Sequence, residues 1–264
     1  MKVAIIGYGK MGKQIESRLL EMGHSIVAVV DPYYQSKDPL PSKAPLYTSL
    51  EGAENLSAAD LAMEFTTPEA ARDNILFCAK HKVPLVVGTT GWFDHLQEIT
   101  GAVLEADSSL VWAPNFSLGV NLFYRVAGYT AALMDPFPEY DVGGFESHHN
   151  KKADSPSGTA KTLCNLVLAV MSRKKKAVYE ILDRPVEKEE LHFPSLRVGF
   201  VPGTHSLIFD SLADTIEITH TARSRDGLVS GAIVAAQWLN TKKRTGVFTI
   251  DDVLAELLPS GSLS

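Results

Sequence analysis

The chain of 264 residues has two cysteines, no surplus of basic residues and no long apolar run, and each absence excludes a class of protein. Cys78 and Cys164 lie in apolar, helix-like stretches and form neither a disulfide framework nor a metal-binding spacing. The formal net charge of −6 argues against nucleic-acid or membrane-surface partners, because both favour basic faces. No apolar run reaches the roughly 18 residues that span a bilayer. We therefore expect a cytoplasmic protein with no nucleic-acid and no membrane partner.

The N-terminus, MKVAIIGYGKMG, leads from a short apolar run into glycines rather than into a signal-peptide cleavage site. Lys2–Ile6 is predicted to be a buried strand, the glycines spell GxGxxG at the start of a helix, and a second strand, Ser25–Val30, ends at Asp31. A lone GxGxxG is a common pattern, but this combination is typical of dinucleotide-binding βαβ units, the alternative being a plain glycine-rich turn. The residues predicted to bind a cofactor here are Gly7, Tyr8, Gly9, Lys10, Met11, Gly12 and Asp31.

Strands and helices go on alternating to about residue 116, which predicts an α/β fold with a doubly wound parallel sheet. Small and turn-forming residues end two of these strands, as suits the ligand crevice of an open sheet. The further cofactor-binding candidates are Gly88, Thr89, Thr90, Ala113, Pro114, Asn115 and Phe116. The predicted elements are strands at Ala59–Thr66, Pro84–Val87 and Ser109–Trp112, helices at Glu69–His81 and Leu96–Ala106, and a surface loop at 32–48.

The pattern changes after Phe116 to one that predicts a second, α+β domain with a mostly antiparallel or mixed sheet. Charged stretches at Arg173–Lys176 and Glu187–Glu190 are interpreted as solvated surface, and Asp251 as a helix N-cap. The predicted helices are Leu118–Met134, Gly231–Asn240 and Asp251–Leu258, and the predicted strands are Leu196–Phe200, Thr204–Asp210 and Asp214–Thr221.

Residues 142–163, VGGFESHHNKKADSPSGTAKTL, are the most informative stretch. A strand-like run leads into His148 and His149, and a Ser-Pro-Ser-Gly-Thr turn, with Ser155 or Ser157 as N-cap, opens an amphipathic helix. Helix N-termini attract anions and histidine donates protons near neutral pH, so the loop suits a small polyanion that is protonated during reaction. Taken alone, it could equally be a surface turn and a helix start. We expect no metal, because no cysteine or acidic ligand has a zinc-like spacing around the two histidines.

The whole chain resembles the family of dihydrodipicolinate reductases, also called 4-hydroxy-tetrahydrodipicolinate reductases. The most specific part is Glu146–Ala160, which agrees with the family signature E-x-H-H-x-x-K-x-D-[AS]-P-S-G-T-A at each fixed position. The motifs GxGxMG, GTTG, APNFS and RxGxxxGxH, the last running from Arg197 to His205, also occur in order.

The resemblance implies an oxidoreductase of the diaminopimelate route of lysine biosynthesis. Such an enzyme reduces a cyclic dicarboxylate, with loss of water, to tetrahydrodipicolinate, using NADH or NADPH. It implies that His148 donates the proton and that Lys152 binds a substrate carboxylate and stabilises developing charge, while Asp154 orients Lys152 rather than reacting. The further substrate-binding residues that it implies are His149, Ser157, Gly158 and Thr159.

The cofactor preference follows from the residues around Asp31. A carboxylate here repels the 2′-phosphate of NADPH, and Pro32 stands where family members that use NADPH well often have an arginine. We therefore expect NADH to be preferred. Lys10 and Lys13 could still attract the phosphate, which leaves dual use open.

The resemblance also implies the domain organisation. Residues 1–117 and 226–264 are expected to form the dinucleotide-binding domain, and residues 118–225 the substrate-binding and oligomerisation domain, with hinges near Ser117 and Arg225. Sheets of the second domain pair to make a homotetramer in this family. At the second hinge the chain reads RDGLVSGA from Arg225 to Ala232, where many members read R-x-x-F-A-x-G-A.

Two other kinds of protein share the predicted cofactor domain. An aspartate or homoserine dehydrogenase would have the same cofactor domain, but the cluster of His148, Lys152 and the Ser-Gly-Thr turn argues against it. A non-catalytic NAD(H) sensor is possible on the same fold, since fold alone does not fix function. That hypothesis predicts a degraded loop, whereas the loop of this chain is intact.

Overall fold

The computed structural model describes residues 1–34 and 40–258 and divides the chain into two units. Of the described residues, the first unit holds Met1–Ser117 and 226–258, and the second holds Leu118–Arg225. The predicted loop at 32–48 and the segment 226–264 therefore lie partly outside the described residues. The strands of the described residues are β1 (Lys2–Ile6), β2 (Ser25–Val30), β3 (Leu46–Tyr47), β4 (Leu61–Glu64), β5 (Leu85–Val87), β6 (Ser109–Trp112), β7 (Asp141–His148), β8 (Lys176–Val178), β9 (Glu190–His192), β10 (Ser195–Arg197), β11 (Thr204–Asp210), β12 (Thr215–Thr221) and β13 (Gly246–Thr249).

Seven helices accompany these strands in the described part of the chain. Short 3₁₀ turns occur at Glu54–Ala58 and Phe93–His95. The helices are α1 (Lys10–Glu21), α2 (Pro68–Lys80), α3 (Leu96–Glu105), α4 (Leu118–Met134), α5 (Gly158–Val170), α6 (Asp226–Thr241) and α7 (Ile250–Leu257). None of the described helices is long and apolar enough to cross a membrane.

The first unit is built on a parallel sheet with the order β3-β2-β1-β4-β5-β6-β13. Its inner strands are continuous apolar runs because helices cover both faces, as parallel sheets require. One face carries α2 and α3, whose Ile75 and Val103 join the core, and the other carries α1 and α6. The strand order reverses between β1 and β4, which is where doubly wound folds bind ligands. The predicted Rossmann-type fold is confirmed.

The second unit has a four-stranded sheet with the order β10-β7-β11-β12. The pairs β7–β11 and β11–β12 are antiparallel, whereas β10 runs parallel to β7, so the sheet is mixed as predicted. Helices α4 and α5 pack together, and their Phe123 and Leu163 share a core with Leu207 and Phe209 of β11. A two-stranded parallel sheet, β8–β9, lies beside α5 and β7.

The interpretation of the two charged stretches, 173–176 and 187–190, as solvated surface holds for 175–176 and 187–189, which are exposed, but it was wrong for Lys174 and Glu190. The two stretches contain the starts of β8 and β9, and Lys174 and Glu190 are 3% and 0% exposed. Lys174 donates to the carbonyl of Glu190 at 2.7 Å and pairs with Asp141 at 2.6 Å, while Arg184 holds the carboxylate of Glu190 at 2.6 Å. Buried charges are tolerated when paired in this way, and the pairing is not visible in the order of residues.

Several predicted boundaries also needed correction. Helix α6 begins at Asp226, five residues before the predicted start at Gly231, because the glycines of RDGLVSGA are accommodated inside the helix. Asp251 is not the cap of α7: the N-cap is Thr249, whose N–H donates to the Asp252 carboxylate at 2.7 Å. The strand predicted at Leu196–Phe200 ends at Arg197, and Leu46–Tyr47 of the predicted 32–48 loop forms β3.

Candidate active site

The glycine loop between β1 and α1 is shaped by two close backbone approaches in the first unit. Gly7 has φ +91°, and a Cβ there would lie 2.3 Å from the carbonyl oxygen of Phe65 at the end of β4. A Cβ on Gly12 would lie 2.2 Å from the carbonyl oxygen of Gly7. Gly9, in contrast, faces open space, with no atom within 4 Å of the place that a Cβ would occupy. The loop can thus admit a phosphate next to the uncapped N-terminus of α1.

Asp31 ties the glycine loop to the end of β2. Its Oδ2 accepts a hydrogen bond from the Tyr8 N–H at 2.7 Å, and its Oδ1 accepts one from the Tyr33 N–H at 2.8 Å. Each carboxylate oxygen has a second lone pair, so Asp31 can still accept a ribose hydroxyl. Tyr8 itself is buried, and this burial, together with the hydrogen bond that its hydroxyl donates to Glu16, raises its pKa. The side chain of Tyr8 therefore supports the loop, and its backbone faces the site.

The predicted residues after β5 and β6 lie along the same edge of the sheet. Gly88 is packed so tightly that a Cβ would lie 2.0 Å from the Phe65 ring, and Thr89 accepts a hydrogen bond from the Thr66 N–H at 2.8 Å. Ala113 and Phe116 are buried, Pro114 is exposed and Asn115 is half-buried, with its Oδ1 accepting from the Ser117 N–H at 2.8 Å. Two hollows open along this edge, of about 890 Å³ beside Gly7, Gly9 and Asp31 and about 380 Å³ beside Lys10, Met11 and Thr90.

A buried carboxyl group at this edge was missed by the sequence analysis. Glu64, the last residue of β4, is 0% exposed, and its Oε1 accepts from Thr66 and, at 3.3 Å, from the Asn74 side chain. The pKa of Glu64 is raised, because the effect of burial outweighs the opposite effect of these hydrogen bonds. Glu64 braces the turn after β4 and so fixes Phe65 against Gly7 and Gly88.

In the second unit two strands bring one acidic and two imidazole side chains together, and a third strand adds a guanidinium. Glu146 and His148 are two residues apart on β7 and so share a face of the sheet. His205 of β11 is paired with Glu146 across the antiparallel ladder, and Arg197 of β10 is paired with His148 across the parallel one. The side chains of Glu146, His148 and His205 are 0%, 7% and 4% exposed. His148 is thus the last residue of a strand and not part of the following loop.

Glu146 is the centre of this group. Its Oε1 accepts hydrogen bonds from the Ser157 N–H at 3.0 Å, the Ser195 hydroxyl at 2.7 Å and the Arg197 guanidinium at 3.1 Å. Its Oε2 lies 3.3 Å from Nε2 of both His148 and His205, yet no described residue gives it an aligned hydrogen bond. The two imidazole Nε2 atoms are 3.4 Å apart.

The pKa values follow from these contacts. Burial by itself raises the pKa of Glu146, but the contacts with His205, Ser157 and Ser195 outweigh it and hold the pKa well below the ordinary 4.5. Burial lowers the pKa of His148; the charge of Glu146 opposes this, and the nearby Lys152 and Arg197 reinforce it. The cluster therefore pairs an ionised carboxylate with an imidazole that gives up a proton readily.

Lys152 and Asp154 form an ion pair on the loop that follows. The Lys152 ammonium lies 2.7 Å from the Asp154 carboxylate, and the Asp154 carbonyl accepts from Arg197 at 2.7 Å. Because of the hydrogen bond from Lys152, the pKa of Asp154 is lowered. His149 is half-buried, and its carbonyl accepts from the Lys152 N–H at 3.1 Å. The loop thus places one partly exposed cation beside the histidines.

Ser157, one of the two predicted candidates, is the N-cap of α5 and links the helix to the buried cluster. Its hydroxyl accepts from the Ala160 N–H at 3.1 Å and lies 3.2 Å from Nε2 of His205. Gly158 is exposed and Thr159 half-buried at the start of the helix, where backbone N–H groups have no intrahelical acceptor. These positions form a second place, besides Lys152, that favours negative charge.

Gly203 sets the position of the His148 ring. A Cβ at this glycine would lie 2.8 Å from Cε1 and 3.2 Å from Nδ1 of His148. The ring is therefore confined between Gly203 on one side and Glu146 on the other.

Sequence reasoning placed no role on Glu146, Ser195, Arg197 or His205. Two signals pointed to them. The alternation in Glu-Ser-His puts Glu146 and His148 on one face of a strand, and the motif from Arg197 to His205 is already part of the family pattern.

The comparisons with known proteins agree over nearly the whole chain. Family models for the N-terminus and the C-terminus of dihydrodipicolinate reductase match residues 1–116 and 119–254. A 4-hydroxy-tetrahydrodipicolinate reductase of Christiangramia forsetii is 39% identical over 257 residues, which cover 97% of this chain and 99% of the relative. One of Archaeoglobus fulgidus is 33% identical over 262 residues, 96% of this chain and 100% of the relative.

Solved structures show the same similarity. A dipicolinate-bound dihydrodipicolinate reductase of Paenisporosarcina sp. TG-14 superimposes with a TM-score of 0.77 at 25% identity, covering 94% of this chain and 97% of that one. An aspartate dehydrogenase of Thermotoga maritima has a TM-score of 0.50 at 14% identity, covering 93% of this chain and 99% of that one. The second likeness concerns the fold alone.

The ionised state of Glu146 leads to a prediction about stability. Because its folded pKa lies below the ordinary 4.5, the stabilisation is fully present above pH 4.5 and is lost as the pH falls below that value. We expect Glu146→Gln to lower the free energy of unfolding at neutral pH by about 2–4 kcal/mol, since it removes the charge beside Arg197. Denaturant titrations in steps below pH 4.5 should show the difference from wild type shrinking. Glu105→Gln, on the exposed surface of α3, serves as control and should change little. A deficit that is the same at every pH would contradict the ionised state.

Proposed function

The chain belongs to the dihydrodipicolinate reductase family, and on this premise we propose that it reduces 4-hydroxy-tetrahydrodipicolinate to tetrahydrodipicolinate in the diaminopimelate route of lysine biosynthesis. The observation that carries the proposal is the complete signature from Glu146 to Ala160, folded into a strand end, a cationic loop and a helix start. A non-catalytic sensor would not need these parts together.

The substrate is a small dicarboxylate, and two features of the second unit suit its charges. Lys152 supplies a cation, now held by Asp154 at 2.7 Å, that a substrate carboxylate can engage in place of Asp154. The N-terminus of α5, with Ser157, Gly158 and Thr159, supplies backbone N–H groups for the other carboxylate. His149, next to Lys152, completes the set. The solved relative that binds dipicolinate, also a cyclic dicarboxylate, supports this assignment.

His148 is the proton donor in this proposal. Burial lowers the pKa of His148 by more than the adjacent Glu146 raises it, so the imidazolium is a stronger acid than a solvent-exposed one. Such a group transfers a proton to a carbanion-like centre readily. Glu146 keeps its charge throughout and compensates that of the imidazolium. Lys152 stabilises the charge that develops on the substrate.

The first unit fits a dinucleotide. The space in front of Gly9, the close approaches at Gly7 and Gly12 and the position of Asp31 suit a pyrophosphate and a ribose. The remaining proposed contacts are Tyr8, Lys10, Met11, Gly88, Thr89, Thr90, Ala113, Pro114, Asn115 and Phe116. When bound, a reduced nicotinamide dinucleotide supplies the hydride. We propose NADH as the preferred form, with NADPH also accepted.

The roles of His148 and Lys152 are tested by kinetics with substrate made in situ by a dihydrodipicolinate synthase. We expect His148→Gln to lower kcat by about 10²–10⁴-fold with little change in KM, since it removes the proton donor. Lys152→Ala should raise KM and lower kcat, because it removes a substrate contact and charge stabilisation. Loss of reduced-nicotinamide absorbance measures turnover, and fluorescence titration measures cofactor binding, which should survive in both variants.

The control for these variants is Lys151→Ala, which removes an exposed neighbouring charge and should leave kcat within about threefold of wild type. Wild-type turnover by either site variant would refute the assigned roles. A wild-type protein that binds NADH tightly and turns over no substrate would favour the sensor.

The cofactor preference is tested at Asp31 and Lys13. Lys13 lies 5.0 Å from the centre of the Tyr34 ring and carries positive charge near the end of β2. We expect Asp31→Asn to reduce the ratio of kcat/KM for NADH to that for NADPH by about tenfold, because it removes the repulsion of the 2′-phosphate. Lys13→Ala should change the ratio in the opposite direction. Equal or better kcat/KM of the wild type with NADPH would contradict the preference.

We also propose that the protein is a homotetramer that assembles through the sheet of the second unit. Phe145 and Leu196 are 38% and 55% exposed on the face of this sheet opposite to Glu146 and His148. Light scattering should give about four times the chain mass of 28.7 kDa, and a particle of 28.7 kDa would contradict the proposal. The cytoplasmic location expected from the sequence stays a prediction.

A further inference from the structure

Glu146 Oε2, His148 Nε2 and His205 Nε2 form a nearly equilateral triangle in the second unit. Its edges are 3.3 Å from Oε2 to each Nε2 and 3.4 Å between the two Nε2 atoms. All three side chains are buried. The three atoms therefore converge on one point from fixed positions.

Hydrogen bonds within the cluster satisfy the two Nε2 atoms but not the carboxylate oxygen that faces them. Among the described residues, none donates an aligned hydrogen bond to Glu146 Oε2, although this atom is buried. The Nδ1 atom of His205 is also buried and has no hydrogen-bond partner among them. When one of the two imidazoles is protonated at Nε2, that N–H can donate to the other Nε2 at 3.4 Å, and Nε2 of His205 also lies 3.2 Å from the Ser157 hydroxyl. Neither contact gives Glu146 Oε2 a donor. A buried carboxylate oxygen without a donor calls for a further positive partner.

The triangle has the dimensions of one face of a tetrahedral metal site. Imidazole and carboxylate ligands lie about 2.0 Å from Zn²⁺, so two ligands of a tetrahedral ion are about 3.3 Å apart. One carboxylate and two histidines are also a donor set that zinc and related ions use, with the fourth position left for water.

The surroundings of Glu146 are those of an oriented metal ligand. Its Oε1 is held by Ser157, Ser195 and Arg197, at 3.0, 2.7 and 3.1 Å, while Oε2 stays available. Contacts to the other atom of a ligating group fix its direction and raise metal affinity.

We propose that Glu146, His148 and His205 bind a divalent first-row transition metal ion of the Zn²⁺ class, and that the bound ion arrests the reductase. The ligands come from two strands, and His148 and His205 are 57 positions apart in the sequence. Their spacing therefore does not resemble a metal-binding motif. Binding itself follows from the geometry. The arrest rests on the proposed function, since a metal on Nε2 removes His148 from proton transfer.

Direct binding is measured on the untagged full chain after treatment with a chelator. Isothermal titration with zinc chloride should give one ion per chain, and Co²⁺ should give the intense visible absorption of a tetrahedral complex with nitrogen and oxygen ligands. His205→Gln and His148→Gln should each weaken binding by at least about tenfold and abolish that absorption, because each removes one ligand. Glu146→Gln should act likewise if it folds, which circular dichroism checks.

The matched control is His220→Gln. His220 lies opposite His205 on the neighbouring strand β12 but outside the triangle. It should bind both metals as the wild type does. Absence of binding by the wild type, or equal affinity in His205→Gln and His220→Gln, would overturn the site.

The arrest is tested separately by adding Zn²⁺ to the coupled assay in the presence and absence of a chelator, with the synthase controlled for its own sensitivity. We expect turnover to fall along the binding curve and to recover with the chelator. One bound Zn²⁺ per chain with undiminished turnover would support the metal site and refute the role of His148 in the proposed function. Inhibition that persists unchanged in His205→Gln would overturn the link between the site and the arrest.

Discussion

An ionised carboxylate with no exposure to solvent organises the second unit. Glu146 can stay charged only because Ser157, Ser195 and Arg197, from the start of α5 and from β10, satisfy Oε1. The carboxylate therefore joins β7, β10 and α5, and it also places His148 and His205. Loss of any one partner would leave a buried charge less well compensated.

One oxygen of the Glu146 carboxylate lacks a hydrogen-bond donor among the described residues, and this leaves its charge available to the neighbouring imidazoles. Oε2 has no aligned donor in the described structure, so its charge acts on the imidazoles of His148 and His205. That arrangement favours an imidazolium ready to release its proton, and it equally favours a cation placed between the three groups. The proton transfer proposed for His148 and the proposed metal arrest therefore depend on the same three side chains.

In the first unit the corresponding constraint is steric. Gly7 is needed because the turns after β1 and β4 approach each other where the strand order reverses, and Gly88 because the turn after β5 approaches the Phe65 ring. Gly12 is needed because the start of α1 packs against the carbonyl oxygen of Gly7. Glu64 stabilises the turn after β4 by accepting hydrogen bonds from Thr66 and Asn74. Gly9 is free of such contacts and leaves the space that a phosphate needs. Gly7 and Gly12 are therefore required by the close packing of the backbone, whereas Gly9 leaves open space.

The Rossmann-type sheet, the family and the motif from His148 to Thr159 could be predicted from the sequence, because they depend on local periodicity and on residues close together in the chain. Sequence reasoning failed where distant charges pair: Lys174 and Glu190 were interpreted as solvated surface, yet they are buried against each other. It also missed Arg197 and His205 as partners of Glu146. Only the pairing of β7 with β10 and β11 decided those contacts, since strand register, and not spacing along the chain, sets which side chains meet.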